Sequence, residues 1–260
     1  MSPALELEDA SVILAGRTAL SEASLTVSAG EIVGVVGANG AGKTTLLRAA
    51  LGLAKLSAGA ASLGGSPVAA LSEMQRAGLA GYLPQERRVA WNMPAWRIAA
   101  LGANSLSPRE ARTRAFAALE EMGLADLSER GVRDMSGGER ARVLIARLFA
   151  TEAPLLVADE PTAGLDPDAS MRIMDALRQR ATRGVAVLAT LHDLTLAARG
   201  CDRLAVMSAG RIIVLDAPEA ALSPAVLGQA FALEGGLVDT PAGWVLAARR
   251  GAQVPDRTVL

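Results

Sequence analysis

The chain has 260 residues, of which 51% are hydrophobic, 20% charged and only 3% aromatic. Its 26 basic residues nearly cancel 27 acidic ones, leaving a net charge of -1, so the basic surplus expected of a duplex-coating protein is missing. That length can bury a core without disulfides or metals, and the lone Cys201 cannot form an internal disulfide, which fits a reducing compartment. No secretory leader is read at the start, where Glu6, Glu8 and Asp9 precede any basic residue. The longest apolar run, Gly184 to Leu191, falls far short of the roughly 20 residues a membrane span needs. The chain therefore reads as a soluble protein of the cytosol.

In chain order, Ala4-Leu5-Glu6-Leu7 and Ser24-Leu25-Thr26-Val27 alternate apolar and polar residues, predicting a small antiparallel sheet turned near Gly16. Glu31 to Val36 predicts a buried parallel strand. A glycine-rich turn follows, and Lys43 to Ala50 predicts a helix. The stretch from about Met93 to Arg133 is rich in Ala, Arg, Glu and Leu, has no strand-like run, and predicts inserted helices. Arg140 to Ala150 predicts another helix. Leu155 to Ala158 and Val185 to Ala189 predict two more buried strands. Between them Asp166 caps and Pro167 opens a helix with Ile173, Met174 and Leu177 on one face. This alternation implies a parallel α/β core. Near the end, Ala225 to Leu233 predicts a helix and Val238 to Leu246 a hairpin with a Pro/Gly turn.

Three segments carry chemistry. Gly37-Ala38-Asn39-Gly40-Ala41-Gly42-Lys43-Thr44 satisfies the phosphate-loop pattern G-x-x-x-x-G-K-[ST] in a chain with only two lysines. Its glycines let successive N–H groups point at one centre, the following helix adds its positive dipole end, Lys43 supplies a full charge, and the Thr44 hydroxyl can ligate Mg²⁺. Leu155-Leu156-Val157-Ala158-Asp159-Glu160 is an apolar strand ending in two carboxylates. At the ligand edge of a parallel sheet Asp159 would reach the metal, and Glu160 is placed to polarise an attacking water. In Met135-Ser136-Gly137-Gly138-Glu139 a capping box accounts for Ser136 and Glu139, a device worth about 1 kcal/mol. Two consecutive glycines exceed what capping needs and leave backbone N–H groups bare for an anion.

The ordered set GANGAGKTT, YLPQ, MSGGE, LLVADEP, AGLDP and ATLHD, spanning about Leu5 to Asp216, resembles the nucleotide-binding subunit of ATP-binding cassette (ABC) transporters. The resemblance implies an α/β P-loop NTPase cassette: a parallel-sheet core with an N-terminal antiparallel β subdomain and an inserted α-helical subdomain. It implies one domain over 1–260, with core and β subdomain in 1–85 and 154–220, the helical subdomain in 86–153, and a short helix and hairpin in 221–260. It further implies ATP and Mg²⁺ as ligands. Gly37, Ala38, Asn39, Gly40, Ala41, Gly42, Lys43, Thr44 and Thr45 would hold the phosphates, and Thr44, Gln85 and Asp159 the Mg²⁺. Glu160 would be the general base, Gln85 would contact metal and water, and His192, the only histidine, would contact the γ-phosphate. Ser136, Gly137, Gly138 and Glu139 would meet the nucleotide of an opposite subunit, with Asp166 in the loop crossing between the two copies.

Members of the family usually stack an N-terminal aromatic on adenine, whereas the first aromatic here is Tyr82. Weak base discrimination is therefore expected. Because the signature serves a partner's nucleotide, a head-to-tail homodimer is implied, with membrane permease subunits docking near Gln85 to Trp96 and a substrate-binding protein completing the complex. No nucleic acid is implied, and the chain would sit peripherally on the cytoplasmic face of the inner (plasma) membrane. Trp91 and Trp96 are either docking anchors or packing within the helical arm. The short arm and tail resemble importers of iron-siderophores, haem and cobalamin. Zinc or manganese importers, other importers or exporters, and soluble non-transport cassettes stay open. A small-molecule kinase explains Lys43 and Asp159 but leaves Ser136-Gly137-Gly138 and His192 unused.

Overall fold

The computed structural model describes residues 2–86 and 91–251. The first elements are β1 (Leu5–Leu14), β2 (Arg17–Val27), β3 (Ile32–Gly37), α1 (Lys43–Ala50), β4 (Ala58–Leu63), β5 (Ser66–Pro67), α2 (Glu73–Leu79) and β6 (Ala80–Leu83). Three helices intervene: α3 (Ala95–Ala100), α4 (Pro108–Glu121) and α5 (Gly137–Phe149). The chain continues through β7 (Leu155–Ala158), α6 (Pro167–Thr182), β8 (Ala186–Thr190), α7 (Leu194–Gly200), β9 (Arg203–Ser208) and β10 (Arg211–Asp216). It closes with α8 (Pro218–Ala221), α9 (Pro224–Phe231), β11 (Leu233–Val238) and β12 (Val245–Arg250).

The central sheet has the order β10-β9-β3-β8-β7-β6, with every pair parallel except the edge pair β9–β10. A second, antiparallel sheet has the order β2-β1-β4-β5. Strands buried on both faces must be apolar throughout, and β3, β7 and β8 are buried at every residue. Successive side chains point to opposite faces, and the core sorts accordingly. Val33, Val35, Leu155, Val157 and Leu188 join the antiparallel sheet and α1 on one side. Ile32, Val36, Leu156, Val187 and Val206 join α5, α6, α7 and α9 on the other. The expected parallel core, antiparallel subsidiary sheet and inserted helices are all present.

Local signals account for the helix starts. Ser136 Oγ accepts the Glu139 amide at 3.2 Å while the Glu139 carboxylate accepts the Ser136 amide at 2.7 Å, and these bonds, the backbone one foremost, hold the Glu139 carboxyl below its usual range. Asp166 Oδ1 accepts the Ala169 amide at 2.8 Å, with Pro167 in the first turn of α6. The inserted helices are fastened to α6 by Arg180, which pairs with Glu121 at 3.0 Å and stacks its guanidinium 4.5 Å from the Phe149 ring centre.

At the end of the chain the structure corrects the expected boundaries. The helix α9 stops at Phe231, Ala232 takes a left-handed φ of 54°, and Leu233 begins a strand. The hairpin strands lie on either side of residues 239–244, so most of the expected hairpin segment is its turn. The Gly235-Gly236 pair lacks the side chains that make a strand legible.

The inserted helices leave no room for a side chain at Gly102. A Cβ there would overlap the Arg147 carbonyl oxygen of α5. Overpacking of this kind costs about 1–3 kcal/mol, so Gly102→Ala should lower the thermal unfolding midpoint by several degrees; an unchanged melting curve would contradict this packing.

Candidate functional site

The parallel strands β3, β7 and β8 end at the same edge, and the loops leaving that edge carry the chemistry. A cavity of about 570 Å³ opens there, lined by Asn39, Gly40, Ala41, Gly42, Lys43, Thr44, Thr45, Gln85 and Glu160, together with Thr18, Ala19, Ala209 and Gly210. The helix α1 begins at its rim with Gly42 as N-cap and no side chain capping its amides, so its dipole end is open to an anion. Gly42 is required: its φ is 100° and a Cβ would lie 2.7 Å from the Ala19 carbonyl oxygen. Gly37 and Ala38 complete the loop from below, their carbonyls accepting from Lys43 Nζ at 2.9 and 3.2 Å.

Lys43 is only 6% exposed. Burial pushes its ammonium pKa down, and the charges of Glu160 and Asp159 oppose that shift. Asp159 is 1% exposed. Its amide donates to the Leu83 carbonyl at 2.8 Å, its Oδ1 accepts from Thr190 Oγ1 at 2.7 Å, and its Oδ2 is buried with no hydrogen-bond partner among the described residues. An orphaned buried carboxylate oxygen is costly, and a bound divalent cation would offset that cost. The donor set of Asp159, the Thr44 hydroxyl and the Gln85 amide oxygen is the hard oxygen chemistry that suits Mg²⁺.

Glu160 adopts a left-handed φ of 52°, unusual for a residue with a side chain. Its carboxylate is shared: Gln85 Nε2 donates to Oε2 at 2.8 Å, and His192 Nε2 lies 2.6 Å from Oε1. Three residues from three different loops thus form one hydrogen-bonded group facing the phosphate loop. None of the residues lining the cavity is aromatic, in keeping with the absent N-terminal stacking partner.

The other predicted residues lie elsewhere. Ser136, Gly137, Gly138, Glu139 and Asp166 line a separate cleft of about 370 Å³ with Arg142 and Arg172, where the starts of α5 and α6 meet. A Cβ at Gly138 would come 3.2 Å from the Ala169 Cβ, so the glycine permits that approach. This cleft and the phosphate-loop cavity share no lining residue. Of Trp91 and Trp96, Trp96 packs within the helical arm, stacking on Phe116 and donating Nε1 to Glu129 at 3.0 Å. Trp91 is 73% exposed. Of the expected docking segment, Arg87, Arg88, Val89 and Ala90 lie outside the described residues. Residue-level reading missed Thr190, whose only signal was a hydroxyl ending an apolar strand, and the Ala209-Gly210 turn, which carried none.

The family model described as ABC transporter matches residues 20–163, more than half of the chain. The chain belongs to the ABC transporter family, and its fold is that of the ATP-binding-cassette P-loop NTPases. The hemin import ATP-binding protein HmuV of Rhodopseudomonas palustris is 38% identical over 239 residues, covering 89% of each chain. The cobalamin import ATP-binding protein BtuD of Halobacterium salinarum is 36% identical over 98% of this chain, which spans 64% of that relative's length. Among solved structures, cbiO1 of Clostridium perfringens, part of the ABC transporter complex cbiONQ, superposes with a TM-score of 0.78 at 27% identity, covering 88% of this chain and 94% of that one. A transporter described as of metal-chelate type shares the fold with a TM-score of 0.83 at 21% identity, covering 97% of this chain and 99% of that one. No helix among the described residues is long and apolar enough to cross a membrane.

Removing the buried ammonium deletes the only lysine at the cavity. Lys43→Ala should weaken ATP binding by at least about 100-fold, the scale of a charge-assisted contact to phosphate; an ATP titration matching the unaltered chain would contradict the phosphate-loop assignment.

Proposed function

We propose that this chain binds and hydrolyses ATP as the motor subunit of a membrane importer, working as a head-to-tail pair of identical copies. The observation that carries the reading is the separation of the nucleotide residues into two sites with no residue in common: Lys43, Gln85 and Glu160 line one, Ser136, Gly138 and Asp166 the other. In this reading one copy does not apply its own glycine pair to a phosphate on its own loop. Two copies related by a two-fold axis bring each cleft against the partner's cavity. In this reading residues 1–85 and 154–220 form the motor core, 86–153 the helical arm and 221–260 the tail.

The chemistry follows from the side chains. The loop amides from Gly37 to Thr45 and the Lys43 ammonium hold the β- and γ-phosphates in line for attack. Glu160 accepts the proton of a water whose oxygen bonds to the γ-phosphorus as the bond to the β–γ bridging oxygen breaks, releasing ADP and phosphate. The hydrogen bonds from Gln85 and the contact with His192 set the carboxylate's direction, and His192 can turn to the γ-phosphate. Thr44, Gln85 and Asp159 would hold Mg²⁺, which when bound supplies neutralisation of phosphate charge. ATP draws the copies together, and loss of the γ-phosphate releases them.

The names of the relatives, hemin import and cobalamin import ATP-binding proteins, support a large iron-chelate, haem or cobalamin cargo. The permease subunits would dock near Gln85 to Trp96, with a substrate-binding protein delivering cargo and the motor lying peripherally on the cytoplasmic face of the inner membrane. Exposed Trp91 is the side chain suited to anchor that contact.

Two measurements test this reading. Glu160→Gln should lower ATP turnover by at least about 100-fold, as expected for loss of a general base, and should elute as an ATP-bound dimer in size-exclusion chromatography; turnover at the unaltered rate would exclude Glu160 as the base. Trp91→Ala should reduce co-purification of integral membrane partners about tenfold while ATP titration stays unchanged; equal recovery of partners would remove Trp91 from the interface.

A further inference from the structure

The end of β8 carries a polar residue that none of the functional assignments above uses. Thr190 is fully buried. The parallel register pairs Ala158 of β7 with Ala189 of β8, so the next residue on each strand, Asp159 and Thr190, stand side by side at the ligand edge. The hydroxyl makes two bonds there: Oγ1 donates to Asp159 Oδ1 at 2.7 Å and accepts from the Glu160 amide at 2.7 Å.

A hydroxyl has one hydrogen. With the Glu160 N–H pointing at the oxygen, that hydrogen is committed to Asp159. Two consequences follow. Asp159 Oδ1 is occupied by the protein, and the second oxygen, Oδ2, is left buried and unbonded among the described residues. The Glu160 peptide is held by its amide in the left-handed conformation that sends its side chain toward Gln85 and His192.

We propose that Thr190 is a positioning residue for this site, one hydroxyl that orients the metal-binding carboxylate and the general base together. It touches neither nucleotide nor metal. It fixes which oxygen of Asp159 is presented to the cation and fixes the backbone from which Glu160 reaches the water. The inference rests on the proposed ATPase reading, in which Asp159 serves the metal and Glu160 the water.

The test compares ATP affinity in EDTA with ATP affinity in Mg²⁺, by equilibrium titration, alongside steady-state turnover. Thr190→Val keeps the shape and removes both hydrogen bonds. Groups that orient metal ligands typically control affinity or activity by about 10- to 100-fold. Thr190→Val should therefore lose about 10-fold or more of the Mg²⁺-dependent gain in ATP affinity and about 10- to 100-fold in kcat, with affinity in EDTA within about twofold of the unaltered chain. Thr190→Ser, which keeps the hydroxyl, should restore both.

A residue that only packs would lower affinity in EDTA as much as in Mg²⁺, and serine would not rescue it; that result overturns the proposal. If Thr190→Val shows no cooperative melt, Thr190→Ala set against Thr190→Ser supplies the same contrast with less strain, and equal values for the two overturn it. Asp159→Asn separates the two levels of the argument. Should the unaltered chain show no Mg²⁺-dependent gain, or Asp159→Asn retain it, the metal reading itself fails. Should Asp159→Asn lose the gain while the valine variant keeps it, only the role of Thr190 fails.

Discussion

A buried ammonium whose acceptors are two carbonyls of its own loop is the constraint around which the rest is arranged. Lys43 bonds to Gly37 and Ala38, and these contacts hold the loop curled while leaving the charge without a direct ion pair among the described residues. Asp159, whose charge acts on Lys43, has a buried oxygen with no hydrogen-bond partner among the described residues. Burial costs both groups desolvation, and in the proposed function a phosphate carrying a divalent cation would satisfy the two at once. The sheet makes the juxtaposition possible, because its parallel strands release their loops at one edge.

The second constraint is separation. The helix starts of α5 and α6 bring Ser136, Gly138 and Asp166 together over a cleft of about 370 Å³, distinct from the phosphate-loop cavity. Capping explains why those helices begin where they do, and the Gly138 approach to Ala169 explains the glycine. Neither explains why the glycine pair lines that cleft with Arg142 and Arg172. In the proposed pair, a partner's phosphate would account for it and would make assembly of two copies part of the chemistry.

Much of this was legible in the residues because the signals were local. The apolar runs ending in Val36, Ala158 and Ala189 read as strands buried on two faces, Ser136 and Asp166 mark helix starts by hydrogen bonds spanning three residues, and Pro167 suits the first turn that follows. The rest depended on register. Nothing in the chain placed Thr190 beside Asp159, since that pairing is set by the alignment of Ala158 with Ala189. The short strands β4 and β5, the second at the sheet edge, were invisible in Ala58-Gly59-Ala60-Ala61 and its neighbours, where small residues give no alternation. Trp96 could not be told from Trp91 until Phe116 and Glu129 were seen to enclose it.

The central claim is that each copy's glycine pair meets the other copy's phosphate loop. Asn39 and Ser136 are both exposed, on opposite sides of that proposed contact. The native Cys201 is buried and its thiol is pushed up to about 12, so it stays out of mild oxidation. A Glu160→Gln chain that also carries Asn39→Cys and Ser136→Cys should form a disulfide-linked species of twice the chain mass under oxidation with Mg²⁺ and ATP, and should stay single without nucleotide. A chain that binds ATP yet remains at monomer mass in the oxidised, nucleotide-loaded sample would contradict the account.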